Sequence, residues 1–312
     1  MKVAVLKGGR SLEREVSLRS GANAEAALRR LGHDVLEVDV DQHLVRVLRA
    51  ERPDAAFIAL HGKGGEDGTV QELLEILEIP YTGPGVLACE RAMDKVVAKA
   101  HFAAAGVSTP AAYAFSQDAF RELGAGEAIP DIRERLGLPL VVKPAKQGSA
   151  LGITVAREAG DVPAALMNAL AYDDRVLMER FVAGRELAVS VLGTSEPWAL
   201  PVVEAIPRDS DFYDFEARYT PGLTDFEAPA RLDDGLAQEA ARVALACYSA
   251  LGCRGVSRVD MIMDPDGRLW VLETNAIPGM TDTSLLPKAA EAAGLGFDEV
   301  VERILADAAL GA

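Results

Sequence analysis

The sequence is short of several features that would set a protein apart. It has only three cysteines in 312 residues, Cys89, Cys247 and Cys253. Their number is odd and no metal-ligand spacing relates them, so the expectation is core thiols in a reducing cytosol rather than a disulfide framework. No run of 18 apolar residues occurs, so no transmembrane helix is expected. The first residues, MKVAVL, read as a strand and not as a signal peptide. A cytoplasmic protein is therefore expected. Positive charge is also scarce, with 32 Lys and Arg against 48 Asp and Glu and a net charge of −16. That argues against general binding to nucleic acid or an anionic membrane, though not against a local basic pocket. There is no internal repeat, no low-complexity tract and no Gly-x-x-x-x-Gly-Lys-Ser/Thr phosphate loop. What is present is ordinary: 49% hydrophobic and 26% charged residues, enough for a sizeable core without staples. The length suggests two or three domains.

The most informative stretch is Gly255 to Thr283. Val256–Met263 and Leu269–Leu272 read as two strands around the turn cluster Asp264-Pro265-Asp266-Gly267. With those four residues as the turn, Met263 faces Arg268, Ile262 faces Leu269 and Arg258 faces Glu273. Side chains alternate with period two, so Arg258, Asp260 and Glu273 share a face, and Asn275 extends the row. Asp260 and Glu273 become diagonal neighbours, with Cα atoms roughly 7–8 Å apart. Two carboxylates at that distance repel unless something positive lies between them. Mg²⁺ suits the position, with Asn275 as a neutral oxygen and substrate phosphates completing the shell. Arg258 suits an anion or a developing oxyanion beside the metal. A solvated hairpin face with a surface ion pair is the plain alternative, and the hairpin alone does not choose. The polar row within apolar strands, followed by Pro278-Gly279-Met280-Thr281, favours a site.

The chain begins with strands at Val3–Leu6, Val35–Val40 and Ala55–Leu60, with a helix from Ser17 as N-cap to Leu31 and Gly32 as its C-cap. This βαβ alternation predicts a parallel sheet whose ligands lie beyond its C-terminal strand ends. Gly8, Gly9 and Glu15 fall there, as does His61-Gly-Lys-Gly-Gly-Glu-Asp-Gly68. Glu15 either favours the start of the helix or anchors an ammonium group. His61 is either a loop residue or a substrate contact. Gly83-x-Gly85-x-x-Ala88 superficially matches a dinucleotide fingerprint but reads better as a turn. A helix from Ala88 to Ala105, carrying Asp94 and Lys95, leads out of this part.

Short helices around Arg121–Leu123 and Ile132–Leu136 precede a strand, glycine loop and strand over Leu140–Val155. Lys146–Gly152 is either a hairpin turn or a flap whose N–H groups wrap phosphate oxygens. Lys143, inside an apolar strand, must meet a bound anion or a carboxylate, and Lys95 is a second cation for a triphosphate. Strands at Val176–Glu186 and Leu187–Leu192 follow. Glu179 and Glu186 are either a surface pair or acceptors for adenine and ribose. Arg208–Asp225, with Phe212, Tyr213, Phe215 and Tyr219, reads as an ordered lid. The helix Asp234–Leu251 places Ala241, Leu245 and Tyr248 at core spacing, and Phe297–Leu310 closes the chain as an amphipathic helix.

Taken in order, these segments resemble the D-alanine–D-alanine ligases of the ATP-grasp superfamily, from Leu6-Lys-Gly-Gly to Ile304. The resemblance is carried by Arg14-Glu-Val-Ser17, His61-Gly…Gly65-Glu-Asp-Gly68, Ala92-Met-Asp-Lys95, Val142-Lys-Pro144, Gln147-Gly-Ser149, Phe212-Tyr-Asp214, Arg258-Val-Asp260 and Glu273-Thr-Asn-Ala-Ile-Pro-Gly-Met-Thr281. It implies an α/β chain, an ATP-grasp fold preceded by a parallel-sheet, Rossmann-like N-terminal domain. The parts would be 1–95 for substrate, 96–184 with the glycine loop, and 185–312 with the metal site and lid. It implies ligation of two D-alanines through an acyl phosphate for peptidoglycan synthesis, with ATP as co-substrate and two Mg²⁺, for which Mn²⁺ substitutes. Lys95, Lys143, Gly148, Ser149 and Arg218 would meet the nucleotide phosphates. Glu179, Arg180 and Val182 would hold adenine, and Glu186 ribose. Asp260, Glu273 and Asn275 would bind the metal. Glu15 would anchor the first D-alanine and, with Ser149 and Tyr219, link lid to site. His61 and Tyr213 would touch substrate. Arg258 and the Gly279 N–H would form the oxyanion hole, and Ser284 with the Leu285 N–H would grip the second carboxylate.

Three departures from the family pattern stand out: Ala150 where a second serine is usual, Arg218 for a lysine, and Ala276-Ile277 for a threonine-containing pair. Tyr219, where related depsipeptide ligases have phenylalanine, favours an amine acceptor. A homodimer is expected from the resemblance alone. The alternatives are another ATP-grasp carboxylate–amine ligase, and a nucleotide-binding regulatory protein without turnover.

Overall fold

The computed structural model describes residues 1–208, 220 and 222–311. The expected lid residues Phe212, Tyr213, Phe215, Arg218 and Tyr219 lie outside the described residues.

The first part opens with β1 (Lys2–Lys7), α1 (Arg14–Arg30), β2 (Asp34–Asp39), α2 (Leu44–Glu51) and β3 (Ala55–Ile58). The sheet is parallel in the order β2-β1-β3. Its order reverses across β1, so the loops after β1 and β3 meet at a switch point. β1 is apolar on both faces: Ala4 and Leu6 enter one core, Val3 and Val5 another. Helix α1 starts three residues earlier than Ser17. Ser17 lies within it, accepting from Gly8 N at 2.8 Å and donating to Ala59 O at 2.7 Å. There follow α3 (Thr69–Ile76), α4 (Val86–Met93) and α5 (Lys95–Ala104). The single helix expected over 88–105 is thus two. Asp94 breaks it, because its carboxylate accepts from Val96 N at 2.9 Å and Val97 N at 3.2 Å and so caps a new helix.

The middle part contains β4 (Ala112–Ser116), α6 (Gln117–Glu122), α7 (Ile129–Leu136), β5 (Leu140–Pro144), β6 (Thr154–Ala156), α8 (Val162–Leu170) and β7 (Arg175–Arg180). Its antiparallel sheet runs β4-β7-β5-β6. Leu140, Val142, Val176 and Met178 pack there with Leu166 in a core of its own.

The last part holds β8 (Arg185–Leu192), β9 (Trp198–Ala199), β10 (Val203–Pro207), β11 (Thr224–Glu227), α9 (Asp234–Leu251), β12 (Val256–Met263), β13 (Leu269–Asn275), α10 (Leu285–Ala292) and α11 (Phe297–Ala306). Its sheet runs β11-β10-β8-β12-β13, with β9 on β8. On α9, Tyr248 is buried as expected, but the packed face centres on Ala240, Val243, Ala244 and Cys247, with Ala241 and Leu245 half-buried. This part shares both its cores with the first. Leu6, Ile58 and Phe102 join Val189, Val259 and Tyr248 in one, and Val5, Leu28 and Phe57 join Leu192, Val203 and Val300 in the other.

Candidate active site

The β12–β13 hairpin forms with a register different from the expected one. Met263 pairs with Leu269 and Met261 with Val271, then Asp260 pairs with Glu273 and Arg258 with Asn275. Leu272 is the extra residue of a bulge between these pairs. Asp260 and Glu273 are therefore directly opposite, not diagonal. The four polar residues still share one face. Arg258 and Asp260 are 7% and 8% exposed, and the guanidinium grips the carboxylate through Nε at 2.6 Å and Nη2 at 2.8 Å. Asn275 Oδ1 is buried and has no hydrogen-bond partner among the described residues.

Cations approach this row from α5. Lys95, the first residue of that helix, places Nζ 3.1 Å from Glu273 Oε2 and donates to Gln147 O at 2.6 Å. It thereby joins the hairpin to the glycine loop. In that loop Ser149 and Ala150 both adopt positive φ, at 50° and 57°, a conformation uncommon for residues with a Cβ. On β5, Lys143 meets Glu179 of β7 at 2.7 Å, so the buried ammonium has a carboxylate partner.

On the other side of the row is Glu13. It is 3% exposed and accepts a hydrogen bond from Ser149 Oγ. Its carboxylate wedges between two glycines. A Cβ on Gly148 would lie 2.9 Å from Glu13 Oε1, and one on Gly62 would collide with Oε2. Burial, then the charge of Glu66, push the Glu13 carboxyl up to about 7. Ser149, His61 and Lys95 act in the opposite direction. His61 is held by Glu66 at its Nδ1, 3.2 Å, and by Ser20 at its Nε2, 3.1 Å. Ser20 Oγ also accepts from Met280 N at 3.1 Å. Two small cavities, about 40 and 30 Å³, share Glu66, Ser149 and Asn275 as walls. The first is lined by Glu13, His61, Arg258, Gly279 and the N-terminus of α10 at Ser284 and Leu285. The second is lined by Lys95, Gly148 and Glu273. A polar cavity at Glu13 and a second one lined by Lys95 thus adjoin across the Arg258–Asn275 row.

The family description "D-ala D-ala ligase C-terminus" matches residues 102–306, and "D-ala D-ala ligase N-terminus" matches residues 45–84. A D-alanine–D-alanine ligase of Pelobacter propionicus is 48% identical over 310 residues, covering 99% of this chain and 96% of the relative. The chain belongs to the D-alanine–D-alanine ligase family. The crystal structure of D-alanine–D-alanine ligase from Bacillus anthracis complexed with ATP superposes with a TM-score of 0.82 at 31% identity, covering 98% of this chain and 97% of that one. The VanG D-Ala:D-Ser ligase of Enterococcus faecalis gives a TM-score of 0.82 at 30% identity, covering 98% of both chains. The architecture is accordingly the ATP-grasp fold behind a parallel-sheet N-terminal unit.

Within the family's pattern of motifs, one residue is displaced from its expected place. Glu15 is exposed on the outer side of α1, while Glu13 reaches the pocket. Residues 13, 16, 17 and 20 are spaced for one helical face, and Glu13, Val16, Ser17 and Ser20 are all buried. Glu15 lies on the opposite side. Glu66 and Ser20 were also missed. Their only sequence signal was this helical phase and the position of Glu66 five residues after His61. Lys95, Gly148, Ser149, His61, Arg258, Gly279, Ser284, Leu285, Glu273 and Asn275 line the two cavities, and Asp260 pairs with Glu273 beside them, whereas Lys143 lines neither. Glu179 is not a surface partner of Glu186; it is 2% exposed and commits both oxygens to lysines. Arg180 is exposed at the end of β7, Val182 lies where the chain crosses to β8, and Glu186 is the second residue of β8. The Arg180 N–H is taken by Ala111 O at 2.9 Å.

Proposed function

We propose that this chain joins two D-alanines in an ATP-dependent reaction, through an acyl phosphate, releasing ADP and phosphate to supply a peptidoglycan precursor. The observation that carries this is the polar row of buried Arg258 and Asp260 with half-buried Glu273 and Asn275, set between a pocket at Glu13 and a cavity lined by Lys95. Glu13, in place of Glu15, holds the ammonium of the first D-alanine. His61 and Glu66 form the adjoining wall. That substrate's carboxylate attacks the γ-phosphoryl group, while Lys95, Lys143 and the N–H groups near Gly148 and Ser149 orient the phosphates; in such transfers positioning and electrostatics dominate. The amine of the second D-alanine, its carboxylate on Ser284 and the Leu285 N–H at a helix N-terminus, then attacks the activated carbonyl. Arg258 and the Gly279 N–H stabilise the tetrahedral oxyanion. Arg180, Val182 and Glu186 line the adenosine end. Tyr213, Arg218 and Tyr219, outside the described residues, are assigned to a lid on the family resemblance alone. The parts 1–95, 96–184 and 185–312 serve substrate, phosphate loop and metal row respectively; one sheet falls in each.

Asp260, Glu273 and Asn275 fit a pair of Mg²⁺ ions, with Mn²⁺ as substitute. The oxygens share one face, two are anionic, and Asn275 Oδ1 is buried without a partner among the described residues. Among the described residues no cluster of three His, Cys, Asp or Glu could hold a metal, so phosphate oxygens and water must complete the shell. When bound, the metal neutralises charge on the transferring phosphoryl group. A cytoplasmic location is supported by three free cysteines, two of them buried. No described helix is long and apolar enough to cross a membrane. A homodimer belongs to the same reading, on resemblance alone.

The test is ADP release from Mg-ATP with D-alanine, beside L-alanine and D-alanine paired with D-serine or D-lactate, with products identified by mass. D-alanine-dependent ADP release with D-alanyl-D-alanine as product is expected. Release only with a mixed pair would move the acceptor, and no release with any pair would overturn the reading.

A further inference from the structure

Lys99 lies on α5, one helical turn beyond Lys95, and is 8% exposed. Its ammonium meets Thr109 Oγ1 at 2.5 Å, Pro110 O at 2.8 Å and Glu179 Oε2 at 2.5 Å. The first two are hydrogen bonds and the third is an ion pair, so the ammonium is directed into the protein. Glu179, 2% exposed, places its other oxygen 2.7 Å from Lys143 Nζ. One buried carboxylate therefore carries two ammonium groups, and the cluster has a net charge of +1. With Lys99 turned to Thr109 and Pro110, the excess charge would act on a phosphate through Lys143, itself 4% exposed. Thr109 Oγ1 also donates to Val271 O at 2.8 Å, which ties Lys99 to β13, the strand of Glu273 and Asn275.

We infer that Lys99 is a positioning residue for nucleotide binding: it holds Glu179 from behind, so that Lys143 is oriented without being neutralised and presents its charge to a phosphate. The inference rests on the phosphate role proposed for Lys143. Without Lys99, Glu179 and Lys143 would form a closed, neutral pair with little attraction for an anion. The electrostatics of the trio agree. Burial opposes ionisation of Glu179, yet Lys143 and Lys99 together hold its carboxyl below the usual range. Burial pushes Lys99 down to about 8; Glu179 pulls the other way and Lys143 adds to the fall. The cluster therefore loses its net charge at mildly alkaline pH.

The test is calorimetric titration of the full chain with Mg-ADP. Lys99→Met should weaken binding at least about tenfold, with the D-alanine KM values nearly unchanged. Lys99→Met combined with Glu179→Gln should recover affinity, because Lys143 again carries an unshared charge. A lysine that merely fills space predicts the double variant to be as weak as the single or weaker. Unchanged ADP affinity in Lys99→Met, or no recovery in the double variant, would overturn the inference. Should Lys99→Met fail to fold, the unmodified protein decides: ADP affinity should fall as pH rises through about 8, and a flat profile between about 7 and 9 would count against it. ADP binding does not require turnover. Intact binding with no ligation would overturn the ligase reading and leave this one standing, whereas no ADP binding at all would overturn both.

Discussion

Two residues two positions apart, Glu13 and Glu15, have opposite fates, and the difference is testable. Glu13 is buried between Gly62 and Gly148, and Glu15 faces out. Glu13→Gln should raise the KM for the first D-alanine by about 30-fold or more, since a buried charge pair is lost. Glu15→Gln should stay within about two-fold, as surface changes do. Initial-rate kinetics in D-alanine distinguishes the two; a strong effect of Glu15→Gln with none from Glu13→Gln would reverse the assignment. The pH dependence follows from the same carboxyl. Its raised value, about 7, means it is protonated below that pH and cannot pair with an ammonium. Affinity for the first D-alanine should therefore improve as pH rises through about 7. Arg258→Ala should lower turnover about 100- to 1000-fold, the usual cost of an oxyanion donor, while Mg-ATP binding stays within a few-fold by calorimetry.

At the level of elements, the hairpin was legible in the sequence although its register was not. The turn takes one residue more than Asp264–Gly267, since Met263 pairs with Leu269, and the Leu272 bulge adds one more on the same strand. Each step alone would turn the row to the opposite face; together they restore it, because the side-chain period is two. Arg258, Asp260, Glu273 and Asn275 thus stayed together despite wrong partners. The first helix was less forgiving. Its repeat is near 3.6, and an error in where it starts hid the inward phase that selects Glu13, Ser17 and Ser20. Glu179 and Lys99 were illegible for a different reason, since their pairing joins β7 to α5 across 80 positions and no local pattern encodes it. Asp94 shows how an element terminus sets function. Its cap starts α5 at Lys95 and aims that lysine at Glu273 and Gln147. Asp94→Ala should cost about 1 kcal/mol in urea unfolding and raise the KM for ATP several-fold; a stability loss with unchanged ATP kinetics would separate the cap from the site.

Across the whole molecule, the distribution of cores determines what can move. The first and last parts share two apolar clusters and behave as one body, whereas the middle sheet packs on its own core. What joins the middle part to the rest among the described residues is largely polar: Ser149 to Glu13, Lys63 to Tyr172, Lys95 to Ala145 and Gln147, and Lys99 to Glu179. Polar contacts between separately cored bodies can be exchanged at small net cost, because water or ligand replaces them. The glycine loop is the foremost of these contacts, and it covers both cavities at once. Its movement would admit nucleotide and D-alanine, and its return would keep water from an acyl phosphate. Hydrogen exchange should accordingly slow in residues 145–153 when Mg-ADP and D-alanine are both present, and should be unchanged in β1 and β3, whose protection reflects the shared cores. Ser149→Ala should speed exchange in the loop of the free protein, since the hydroxyl that reaches Glu13 is gone. Equal slowing in the loop and in β1 would mean that ligands stabilise the chain as a single body, and that the middle part does not close independently.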